Sequence, residues 1–117
     1  MRININNDLA IKFKSGTNCN IRYDKNWVHI RATITNKTLS KGVIDSTSII
    51  LPDGVVPTYS FQLNSIVCDS SWKPLGIIAY STISQNKNSI DTVLSSDLSN
   101  GNIAISATIP MGFLNII

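Results

Sequence analysis

Trp27-Val28-His29-Ile30-Arg31-Ala32-Thr33-Ile34-Thr35-Asn36 carries an apolar residue at every second position. A helix burying one face would repeat its apolar residues every three or four positions, so this period belongs to a half-buried β-strand. Val28, Ile30, Ala32 and Ile34 are expected to point into a core. Trp27, His29, Arg31, Thr33 and Thr35 then line the opposite face with one large aromatic and several hydrogen-bonding groups. Such a face suits solvent, a bound partner or a subunit contact, and the alternation alone does not choose among them.

Working outward, the same period recurs. Cys19, Ile21 and Tyr23 share one face of a preceding strand, and Asp24-Lys25-Asn26 reads as the short hairpin loop that joins it to the opening stretch. Residues 1–17 contain a further alternation, Leu9, Ile11 and Phe13, and are expected to form an N-terminal strand or docking arm before a head domain at 18–117. Toward the C-terminus, residues 37–46 are polar and read as a loop. Residues 47–51 read as a short apolar strand stopped by Pro52-Asp53-Gly54, where proline presets φ and glycine accepts a positive φ. Tyr59, Phe61 and Leu63 open another strand that runs to Cys68. Residues 75–83 are apolar on both faces, which predicts a central strand. Residues 89–94 give another short strand. Asn100-Gly101 has the composition of a hairpin turn, and Ile103, Ile105, Ala107 and Ile109 mark the inward face of a last clear strand that Pro110 ends.

Composition points the same way. Isoleucine, asparagine, serine and threonine make up roughly half of the 117 residues, and glutamate is absent. Helix formers are therefore scarce, while strand and turn formers are plentiful. The expectation is one all-β domain, an antiparallel β-sandwich of jelly-roll type with about eight short strands. Charged residues are 15% of the chain, below the usual share of about 25%, which leaves a surface of amides and hydroxyls suited to polar, uncharged ligands or to self-association. The net charge is +3, but lysine and arginine never occur three in a row. A nucleic-acid partner is not expected, because phosphate binding needs those charges gathered on one face. The sequence contains neither a signal-peptide pattern nor an apolar run near the ~18 residues of a membrane span, so membrane insertion is not expected either.

Three segments taken in order carry a resemblance. These are residues 20–30 (Asn20-Ile21-Arg22-Tyr23-Asp24-Lys25-Asn26-Trp27-Val28-His29-Ile30), the stretch Ile49-Ile50-Leu51-Pro52-Asp53-Gly54-Val55-Val56-Pro57, and the closing Asn100-Gly101-Asn102-Ile103-Ala104-Ile105-Ser106-Ala107-Thr108-Ile109. Together they resemble the C-terminal head domain of phage tail-fibre and baseplate receptor-binding proteins of Gram-positive hosts. In those heads an opening hairpin, a Leu-Pro-x-Gly-x-x-Pro turn and a closing hairpin follow one another. The likeness spans residues 18–110, and the middle motif is present in full. In the later hairpin, where the family tends to carry Asp-Gly, this chain has Asn86-Lys87-Asn88. The resemblance implies a homotrimer at the phage tail tip that recognises host cell-surface saccharide and touches other virion proteins. No heptads of a fibrous shaft occur here, so the chain is expected to be either a head fragment or a separate small open reading frame. A structural virion component, a capsid decoration or fibre-joining protein that binds no sugar, is the alternative.

Catalysis is not expected. His29 is the only histidine and no nucleophile elbow accompanies it. The aspartates lie mostly in turns at Asp24, Asp45, Asp53, Asp69 and Asp97, where turn formation explains them and no facing pair for glycoside hydrolysis is evident. No Asp-x-Asp cluster suggests a metal, Cys19 and Cys68 lie in no metal-like spacing, and no cofactor is implied. Each cysteine reads as a small buried thiol, with a disulfide between them as the alternative. For ligand binding the candidates are Trp72, which sits in a polar connection, with Asp69 and Lys73 as clamps, and Tyr59 at the start of its strand. Trp72 as a cap on the sandwich end is the competing structural role. For a subunit contact the candidates are Trp27, His29 and Arg31 on the opening strand, and Phe113 and Leu114 in an apolar tail that a lone chain is expected to expose.

Overall fold

The computed structural model describes residues 11–12, 20–23, 25–51 and 54–116. Most of the N-terminal arm, Cys19 and its possible disulfide, and the Pro52-Asp53 half of the turn motif lie outside them. Among the described residues there is no helix, and nine strands follow in order: β1 (Ile11–Lys12), β2 (Asn20–Tyr23), β3 (Trp27–Leu39), β4 (Val55–Pro57), β5 (Phe61–Cys68), β6 (Ala79–Ile83), β7 (Ile90–Leu94), β8 (Leu98–Pro110) and β9 (Leu114–Ile116). Seven form one curled antiparallel sheet, ordered β1-β2-β3-β8-β5-β6-β7, and β4 pairs with β9 in a separate ribbon. The protein is all-β, as its composition and alternation require.

The curl has a cause in β5. Its first residues, Phe61 to Leu63, pair with Ile83 to Ser81 of β6, whereas Asn64 to Cys68 pair with Ser106 to Asn102 of β8. One strand thus serves two parts of the sheet. The inward residues of β3 (Val28, Ile30, Ala32, Ile34) and β8 (Ile103, Ile105, Ala107, Ile109) join those of β6 and β7 (Ile83, Ile90, Leu94) in a single core. Each fully buried aliphatic side chain contributes about 1.5–3 kcal/mol, so the long β3–β8 pair anchors the fold.

Several sequence expectations are corrected. The two longest strands have 13 residues each, because β3 runs on to Leu39 through two register irregularities against β8. Asn100-Gly101 lies inside β8 rather than at a hairpin tip, with Asn100 in a left-handed conformation (φ 49°) at one irregularity. Residues 75–78 are not strand, and β6 lies next to the outermost β7 instead of at the centre. Residues 42–51 form a strap rather than a paired strand. Its backbone bonds to the free edge of β7, with Asp45 and Thr92 exchanging two hydrogen bonds and the Ile90 N–H donating to the Ile49 carbonyl. Covering an edge in this way prevents it from templating another chain. Asp45 is buried and accepts a hydrogen bond from Lys37 Nζ at 3.0 Å.

The apolar tail also departs from expectation. Leu114 is 2% exposed within its own chain, since β9 folds back to pair with β4, Leu114 opposite Pro57. Phe113 is half-buried and packs against Tyr59 and Phe61, with ring centroids 5.2 and 5.8 Å away. Leu114 is therefore core, not a surface offered to a second subunit.

Candidate functional site

Register decides which outward residues of the main sheet become neighbours. Opposite His29 on β3 lie Arg22 of β2 and Thr108 of β8; opposite Arg31 lies Ser106, which itself faces Asn64 of β5; opposite Thr33 lies Ala104, which faces Ile66. Side chains directly across strands stand about 4.5–5.5 Å apart, so each row is a line of touching groups. The middle strand presents the small residues Ala104 and Ser106, while its flanks present Arg31 and Thr33 on one side and Asn64 and Ile66 on the other. Short side chains between longer ones leave a trough along β8.

Two adjoining depressions make up this trough. One, of about 370 Å³, is lined by Arg31, Thr33, Asn64, Ile66, Ala104 and Ser106. The next, of about 540 Å³, shares Arg31, Asn64 and Ser106 and continues past His29, Arg22 and Thr108. Among the described residues, none of those lining the trough is acidic. The His29 ring Nδ1 and Thr108 Oγ1 share a hydrogen bond of 3.1 Å, which fixes the imidazole against the trough floor. Guanidinium, amide and hydroxyl groups recur at two-residue spacing, beside an apolar stretch formed by Ile66, Ala104 and the Thr33 methyl. The trough can thus form directional hydrogen bonds to a polar ligand and contact its C–H faces.

The four expected ligand residues are not gathered into one site. Tyr59 precedes β5 and Trp72 follows it, so the eight residues of that strand separate them by about 25 Å. Tyr59 is 60% exposed and leans on Phe113. Its loop is tied to the tail by the Thr58 N–H donating to the Phe113 carbonyl and by Thr58 Oγ1 donating to the Gly112 carbonyl.

Asp69, Trp72 and Lys73 do share a loop, but Asp69 acts as its builder rather than as a clamp. Asp69 Oδ1 accepts hydrogen bonds from the Ser71 and Lys73 N–H groups at 2.8 and 2.9 Å. The Trp72 N–H donates to the Asp69 carbonyl, and the Asp69 N–H to the Lys73 carbonyl. This is a three-residue hairpin loop, whose third position takes the left-handed conformation and normally holds glycine. Here Trp72 occupies it, with φ 64° and 45% exposure.

Of the expected contact residues, His29 and Arg31 line the trough, and Trp27 is half-exposed at its far end opposite Pro110. Sequence reasoning missed Arg22, Asn64, Ile66, Ala104, Ser106 and Thr108. A signal existed in the small outward residues of β8, but it acquires meaning only once β3 and β5 are known to flank that strand. Among the described residues no cluster of histidine, cysteine or carboxylate side chains could hold a metal ion, and Cys68 is a buried thiol. No helix of the described chain is long and apolar enough to cross a membrane. Comparison of the chain with family models, with curated proteins and with solved structures returns no match.

Proposed function

We propose that this chain is a carbohydrate-recognition head of the kind carried by phage receptor-binding proteins, holding host cell-surface saccharide in the β3–β8–β5 trough without catalysis. The observation that carries the reading is the trough itself: a long, shallow, solvent-facing channel lined by Arg31, Asn64, Ser106 and Thr108 beside Ile66 and Ala104. A sugar chain presents hydroxyls at its rim and C–H groups on its faces, and this lining offers partners for both. The homotrimer implied by the sequence resemblance leaves the trough free in this reading, with Trp27 as its contact rather than His29 or Arg31.

Binding to immobilised cell-wall polysaccharide from Gram-positive bacteria tests the assignment. Arg31→Ala removes a donor and Ala104→Tyr fills the floor, so each is expected to weaken binding at least about tenfold, a loss of ~1.4 kcal/mol, with the melting temperature little changed. Full binding by Ala104→Tyr would exclude the trough. Light scattering that reports a monomer at micromolar concentration would remove the trimer.

A second reading has its own support. On the outer face of β6 and β7, Tyr80 and Ile44 are more than half exposed beside Thr82, Asp91 and Val93, an apolar surface suited to docking in a virion. A fibre-joining or capsid-decoration protein binds no saccharide, so the same assay separates the two.

A further inference from the structure

The trough is not open along its whole length. Outward residues of β5 and β8 are accessible as far as Ile66 and Ala104, yet the next in each row, Cys68 and Asn102, are each only 4% exposed. Two elements cover them. The irregular end of β3 brings the Asn36 N–H onto Asn102 Oδ1 at 3.2 Å. The hairpin that follows β5 turns over the row, with Pro74 bridged to Cys68 and the Ser70 carbonyl accepting a hydrogen bond from Asn102 Nδ2 at 3.5 Å. The loop Asp69-Ser70-Ser71-Trp72-Lys73 therefore stands as a wall at one end. At the other end the row runs out through exposed Thr108 and Pro110.

That wall carries the most unusual backbone position among the described residues. A bulky aromatic occupies a left-handed site that favours glycine, and it is over-determined by the Asp69 hydrogen bonds. Strain of this kind collects where a ligand is held. Trp72 is also half-exposed, so burial does not account for its choice.

We infer that the trough reads chain ends: the terminal sugar abuts the Ser70-Ser71-Trp72 wall with the indole as its stacking platform, and the preceding units lie along Ala104, Ser106 and Thr108. From Ala104 to Pro110 the open row extends about 20 Å, the length of a short oligosaccharide. This inference rests on the trough being the saccharide site.

The probe is cell-wall polysaccharide from Gram-positive bacteria, used intact and after partial hydrolysis to short chains. At equal sugar mass the hydrolysate is expected to bind more strongly, in proportion to the ends created. Trp27→Phe leaves Trp72 as the sole indole, and its fluorescence is expected to shift on binding. Trp72→Gly is expected to weaken binding about tenfold, the scale of one lost aromatic contact, while Trp72→Phe retains most of it. Equal binding of intact and cut chains per unit mass overturns the inference, as does undiminished binding by Trp72→Gly when Arg31→Ala has lost it. If the wild-type protein binds neither form, or if Arg31→Ala and Ala104→Tyr bind normally, the saccharide trough itself falls.

Discussion

Replacing Trp72 by alanine and, separately, by glycine isolates the backbone strain at the trough wall, because both variants lose the same indole. At an ordinary position glycine is the less stable of the two by roughly 0.5–1 kcal/mol, through its greater freedom in the unfolded chain. At φ 64° the alanine carries a left-handed penalty of about 1–2 kcal/mol that glycine escapes. The order is therefore expected to invert, with Trp72→Gly more stable than Trp72→Ala by about 0.5–1 kcal/mol. For a chain of 117 residues the unfolding entropy near the midpoint is about 0.25 kcal/mol per degree, which places the two melting temperatures about 2–4 °C apart. Urea titrations of the pair, with slopes checked for equality, measure the same difference. An alanine variant as stable as the glycine variant, or more so, would falsify the strained loop and with it the physical reason for singling out Trp72. Both variants are expected to be less stable than the wild type, since the indole is about half-buried.

Two further substitutions test the frame that positions the trough. A Cβ at Gly101 would lie 2.7 Å from the Cys68 carbonyl oxygen and would also meet Leu98 Cδ1; the leucine can rotate but the backbone oxygen cannot, so Gly101→Ala is expected to cost about 1–3 kcal/mol, and a thermal melt unchanged within error would refute the close approach of β5 and β8 there. Leu114→Ala empties a buried site in β9 and is expected to cost about 2–5 kcal/mol; a tail serving instead as a subunit contact would leave the monomer's stability intact and change only the oligomeric state seen by sedimentation.

Local alternation was enough to identify β3 and the inward face of β8. Val28, Ile30, Ala32, Ile34, Ile103, Ile105, Ala107 and Ile109 are buried as their spacing demands, because a strand's side-chain period is a property of the backbone and needs no partner. Composition fixed the fold class for a similar reason: a chain without glutamate and rich in isoleucine and threonine has little to build helices from. Elsewhere neighbours overrode local preference. Asn100-Gly101 has hairpin chemistry, yet it sits within β8 because the irregular pairing of β3 with β8 also requires a left-handed residue. Residues 75–83 looked central by hydrophobicity alone, but the split pairing of β5 placed β6 near the edge and left Ile78 and Tyr80 exposed.

Which residues face outward could be read along each strand. Which of them stand together could not, because that depends on the register of β3, β8 and β5. A shift of one residue in either pairing would turn a strand's outward set toward the core, and a shift of two would move Asn64 away from Ser106 and Arg31. The sequence by itself determined the alternating strands and the single core they build. Only the tertiary structure decided that Leu114 closes that core, that small residues on β8 lie between longer ones to form a trough, and that the Trp72 loop stands at its end. Those arrangements are set by contacts between residues far apart in the chain, whose energies no local pattern encodes.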